Sequence, residues 1–174
     1  MKTMKNTMYT VLIALALVFT MTSCNKDDDG GDGGNAAAGT VKAKVDGSNF
    51  SSNPQLSMAT QTNAGGSTIV TVQGNDNSGK AIVLVMNGLT GTGTYNIGGG
   101  ANISISASYL EVNVSNPADT QTWQAPFDDT VAGEVKISEL SSSKVVGTFS
   151  FTGKNVNGDN STKAITEGSF NMNF

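Results

Sequence analysis

The chain has 174 residues, 37% of them hydrophobic and 14% charged, a size that suits one globular domain plus a targeting segment. All ten basic residues are lysines and histidine is absent, so after Cys24 eight lysines face fourteen carboxylates. An acidic chain without arginine lacks the basic stripe that nucleic acid needs, and one without imidazole lacks the usual partner of a serine or cysteine nucleophile.

Chain order begins with Lys2 and Lys5 and the apolar run "VLIALALVF" at residues 11–19, the positive start and hydrophobic stretch of a secretory signal. As a helix this run would span only about 14 Å of a hydrocarbon core about 30 Å thick, so removal is expected rather than retention as a membrane span. "MTSC" at residues 21–24 resembles the bacterial lipobox, in which a diacylglyceryl group is attached to the cysteine thiol and a peptidase cuts just before it. The cut would fall between Ser23 and Cys24; Met21 stands where leucine is commoner. The other reading is a secreted protein with an incidental free thiol. Two acyl chains suffice for stable anchoring, so residues 1–23 read as a lipoprotein signal peptide and Cys24 as the attachment to a membrane.

Residues 24–39 carry four aspartates, many glycines and no bulky side chain, which reads as a flexible acidic tether with a reach of about 20 Å. Lipoproteins of the phylum Bacteroidota resemble one another in carrying lysine and then acids just past the cysteine when bound for the outer face of the outer membrane. Lys26, Asp27, Asp28 and Asp29 match that pattern, which implies a sorting machinery as partner and display on the cell exterior. A solvated spacer is the plainer alternative.

From Thr40 the pattern becomes period-two alternation. Val41, Ala43 and Val45 point one way and Lys42 and Lys44 the other, as in a half-buried strand reaching residue 50. Further strands are expected at residues 56–62, 67–74, 80–88, 93–97, 102–114, 122–127, 131–140, 144–153 and 164–174. The segment at 80–88 is apolar on both faces and belongs in the middle of a sheet. About ten short strands with hairpin-like loops predict an all-β antiparallel sandwich over residues 40–174, a closed β-barrel being the alternative. Asn157-Gly158 predicts a two-residue turn that sets Val145 opposite Phe170, Phe149 opposite Thr166 and Phe151 opposite Ala164.

"VKAKVDGSNF", "GTGTYNI", "GEVKISEL", "KVVGTFSFTGKN" and "ITEGSFNMNF" together resemble an uncharacterised family of flavobacterial lipoproteins. The resemblance spans nearly all of the chain after the tether. It implies a β-rich domain with no assigned activity, so no catalytic residue is carried over from it.

Candidate chemistry is sparse. Asp76 with Asn75 and Asn77, and Asp159 with Asn157 and Asn160, read as turns rather than calcium loops; no metal site and no cofactor is expected. The carboxylates available for glycosidase-type catalysis are Glu111, Glu134, Glu139, Glu167, Asp128 and Asp129, and sequence brings no two of them together. Trp123, Tyr95 and Tyr109 are the amphipathic aromatics of the domain and the candidate ligand platform, with a core position the competing reading for Trp123. The functional expectation is a lipid-anchored, surface-displayed binding or envelope-structural domain with a glycan or protein ligand. A carboxylate-dependent glycan hydrolase or glycan-capture accessory is the alternative.

Overall fold

The computed structural model describes residues 35–100 and 104–174; Ser23, Cys24, Lys26, Asp27, Asp28 and Asp29 lie outside the described residues. Eleven strands follow in order: β1 (Thr40–Val45), β2 (Ser48–Ser51), β3 (Met58–Ala64), β4 (Ser67–Asn75), β5 (Lys80–Leu89), β6 (Gly93–Gly98), β7 (Ile105–Glu111), β8 (Gln121–Ala125), β9 (Val131–Leu140), β10 (Lys144–Lys154) and β11 (Thr162–Asn173). The main path through the sheet is β2-β1-β11-β10-β8-β7-β5-β4-β3, every pairing antiparallel. The sheet forks at β10, whose second edge takes β9 along most of its length and β8 at Lys154, while β9 also carries β6.

This sheet curls into a half-barrel, an all-β architecture between the expected sandwich and the closed barrel. Its ends approach where Val41 of β1 packs on Gly74 of β4; a methyl group at Gly74 would fall 2.5 Å from the Val41 side chain. Alternate positions fill the interior: Val70 and Val72 from β4, Ile82, Leu84 and Met86 from β5, Val135 and Ile137 from β9, Phe149 and Phe151 from β10. As its two apolar faces require, β5 lies between β4 and β7, with Val83 and Val85 half-buried on its outer side.

The first expected strand divides at Asp46 and Gly47, whose φ of 47° and 81° make the left-handed corner between β1 and β2. The last tether residues are packed: Ala36 is buried, Gly39 N–H donates to Asn171 O at 2.7 Å, and Thr40 Oγ1 donates to Ala37 O at 2.6 Å.

The pairing of β10 with β11 departs from expectation twice. Asn157-Gly158 does not form a two-residue turn; the loop is longer, closed by Asn155 N–H to Ser161 O at 2.9 Å, with Asn160 in the left-handed region at φ 59°. A bulge follows in β11, where Thr166 and Glu167 together face Ser150 alone and Glu167 takes φ 50°. Val145 therefore lies opposite Met172, Phe149 opposite Gly168, and Phe151 opposite Ile165. The bulge also switches which residues face inward, from the odd-numbered Ile165 to the even-numbered Gly168, Phe170 and Met172. Large does meet small across this face, but through glycines. Phe170 covers Gly147 and Phe149 covers Gly168, and a methyl group at either glycine would fall 2.6 Å from the ring.

Candidate functional site

Two hairpins, β1–β2 and β4–β5, meet the end of β7 and the start of β11 at one mouth of the half-barrel. Asp46 forms the β1–β2 corner, Asp76 and Lys80 flank the β4–β5 hairpin, Tyr109 and Glu111 end β7, and Lys163 starts β11. These six side chains border a cleft of about 490 Å³, closed on another side by β2.

Asp46 is pinned to β11 on both sides of its backbone: its N–H donates to Ala164 O and its Oδ1 accepts from Ala164 N–H, each at 2.9 Å. The Lys163 ammonium then lies 3.7 Å from Asp46 Oδ2 and 3.5 Å from Glu111 Oε1. It also stands over the Trp123 ring at 4.5 Å from the centroid and over Tyr109 at 5.7 Å. Trp123 is oriented by its Nε1–H donating to Ser161 Oγ at 2.9 Å, and its ring meets Tyr109 at 5.8 Å with a 37° tilt. The Tyr109 hydroxyl donates to Glu111 Oε1 at 3.0 Å. Burial, and then that hydrogen bond with the Glu111 charge, push the Tyr109 phenol well above its ordinary value.

Asp76 serves its own hairpin: Oδ1 accepts from the backbone of Ser78 and Lys80 at 2.8 Å each, and Oδ2 from Ser78 Oγ at 2.7 Å. Partial burial opposes its ionisation, and these donors outweigh it, holding the carboxyl below its usual range. Asp159 likewise accepts from Ser161 N–H at 2.9 Å and is held low by the hydroxyl and backbone of Ser161. Among the described residues no group of three or more His, Cys, Asp or Glu side chains stands ready for a metal.

The predicted aromatic platform is not an exposed one. Tyr109 and Trp123 are buried, and Tyr95 is half-buried with its hydroxyl donating at 2.8 Å to Gly91 O in the loop just before β6. The physical reason is parity: Tyr109 and Trp123 are cross-strand partners on the inward side of β7 and β8. Of the two, Tyr109 alone borders the cleft, and Trp123 lies beneath Lys163. Among the catalytic candidates, Glu111 alone reaches this cleft. Glu139 pairs with Lys144 at 3.3 Å and Glu167 with Lys44 at 2.8 Å, while Glu134 sits mid-strand on β9. Asp128 and Asp129 border a second cleft of about 380 Å³ beside Phe127 and Pro126. Asp128 is held below its usual range by Thr130, whose hydroxyl and N–H donate to Oδ1 at 2.6 and 2.9 Å.

Sequence reasoning missed Asp46, Lys80 and Lys163 as site residues. Each reads as an ordinary turn or strand-face charge, and Lys163 meets Asp46 across 117 positions of chain.

The class that fold and cleft define is an antiparallel half-barrel domain with a polar, mixed-charge mouth. The chain belongs to the family described as domain of unknown function (DUF6252), whose profile matches residues 37–172. No curated protein and no solved structure matches the chain.

Proposed function

We propose that this protein is a lipid-anchored, surface-displayed binding module of a Bacteroidota cell envelope, capturing a glycan at the mouth of its half-barrel. The convergence of Asp46, Lys80, Glu111 and Lys163 with the exposed Ser48 and Asn49 in one cleft carries this reading. Carboxylates, ammonium groups, amides and hydroxyls held on strand ends supply paired donors and acceptors for sugar hydroxyls, and the hydrogen bonds and ring contacts beneath them fix their geometry. The address rests on residues 1–29: a removable signal, Cys24 as the attachment, and Lys26, Asp27, Asp28 and Asp29 as the export signal.

One observation favours the hydrolase alternative: Asp46 and Glu111 face the same cleft, closer together than their combined distances to Lys163. Binding is the better reading because both carboxylates are already engaged within the protein, Asp46 by Lys163 and the Ala164 N–H and Glu111 by Lys163 and the Tyr109 hydroxyl.

Two experiments test the proposal. Screening the full chain, carrying Cys24→Ser, against envelope and dietary polysaccharides should find a ligand whose binding is lost in Lys163→Met and Glu111→Gln; turnover of that ligand would replace binding by catalysis. In cells, Cys24→Ala should abolish lipid labelling. Alanine at residues 26–29 should leave labelling intact but protect the protein from protease added outside, and continued digestion would refute the export role.

A further inference from the structure

β3 ends the main path of the sheet and, among the described residues, pairs only with β4. All seven of its residues pair in unbroken register, from Met58↔Gln73 to Ala64↔Ser67. Gly65 and Gly66 close the hairpin at φ 59° and 84°, the two left-handed positions of a type I′ turn. In that hairpin the closing pair is hydrogen-bonded, so the backbone groups of Ala59, Gln61 and Asn63 point to the open edge. Among the described residues, no backbone hydrogen bond reaches them from that side.

The strand "MATQTNA" has no charge, no proline and no bulge, and so lacks the devices by which edge strands avoid pairing. The other two edges differ. β2 is only four residues long, and β6 is bounded by Gly93 and Gly98 in left-handed conformations. Beside β3 the outer surface continues through Thr71, Gln73, Val83 and Val85, again without charge.

We propose that β3 pairs antiparallel with β3 of a second copy of this chain, about a two-fold axis through Gln61. Outer faces stay together only if even-numbered positions meet even-numbered ones, and centring on Gln61 engages all seven residues. That register places Thr60 opposite Thr62 of the second copy and Ala59 opposite Asn63, small against small or polar, with no like charges in apposition. A foreign strand would need charges or deep pockets to be chosen, and this edge offers neither. Edge pairing of seven residues buries less than the ~1,000 Å² of a stable interface, so the dimer is weak and concentration-dependent.

Disulfide trapping tests the register. In the full chain with Cys24→Ser, Thr60→Cys and Thr62→Cys are prepared separately and oxidised alone or mixed. The mixture should cross-link roughly tenfold more than either alone, since opposed residues lie ~4.5 Å apart at Cα and same-residue pairs fall beyond disulfide reach. Equal yields in all three samples, or none, would overturn the proposal. Independently, sedimentation of the Cys24→Ser chain should show mass rising with concentration, and Thr60→Lys with Thr62→Lys should abolish the rise while leaving the melting curve in place. A mass that stays monomeric at every concentration, or a rise that survives both lysines, would equally overturn it.

Discussion

β1, β9, β10 and β11 carry nine charged side chains; β3, β4, β5, β7 and β8 carry two, Lys80 and Glu111, both at strand ends on the cleft. The inward faces of the two groups do not differ in kind, Val70, Leu84 and Met86 on one side matching Val135, Phe170 and Met172 on the other. Charge therefore does not decide where a strand goes in this fold; inward periodicity does, and the outward residues are left to determine what the surface meets. The ion pairs of the charged group, Lys44 with Glu167 and Lys144 with Glu139, lie on partly exposed side chains, where such pairs contribute little.

The comparison breaks hardest at β11, which lies between β1 and β10. Deleting residues 170–174 should leave the chain unfolded by circular dichroism, and Gly168→Val should do nearly the same, because the added carbons would enter the Phe149 ring. Next come Phe170→Ala in the charged group and Leu84→Ala in the uncharged one, each costing about 2–5 kcal/mol in urea titrations, which tests whether the two inward faces matter equally. Trp123→Phe should cost about 1 kcal/mol through the lost bond to Ser161. Lys44→Ala should lie within ~1 kcal/mol, and moderate salt should change stability little.

Acid and alkali separate the regions in another way. Tyr109 is pushed up by burial and by Glu111, so its contribution is whole below the unfolded phenol's value of about 10 and is lost as pH rises beyond it. Melting temperature should fall above pH ~10, and Tyr109→Phe should flatten that limb. Asp76, Asp128 and Asp159 are held low by their turn donors, so what they contribute is present above pH ~4 and lost as pH falls further. Asp76→Asn should show the largest change on the acid side.

Strand existence and facing were legible because alternation is a local signal: Val41, Ala43 and Val45 report their own burial, and 80–88 reports a central strand. Register between β10 and β11 was not, because it depends on a loop held by Asn155, buried and donating to Gln121 Oε1 at 2.7 Å, and on a bulge whose left-handed residue is Glu167 rather than a glycine. The cleft was hidden for the same reason. Asp46 and Lys163 acquire their roles only when the β1–β2 corner docks on β11, and Trp123 supports Lys163 from the interior rather than forming a platform, through its inward parity on β8.

The pairing of β1 with β11 joins Thr40 to Asn171, nearly the two ends of the domain. A sheet built this way closes its longest loop in order to complete its centre, which places folding on the order of milliseconds to seconds rather than microseconds. During synthesis the strand that β1 and β10 both require is made after both of them. The domain therefore reaches its final form only once β11 is available, and Gly39, bonded to Asn171, is fixed in that same closing event.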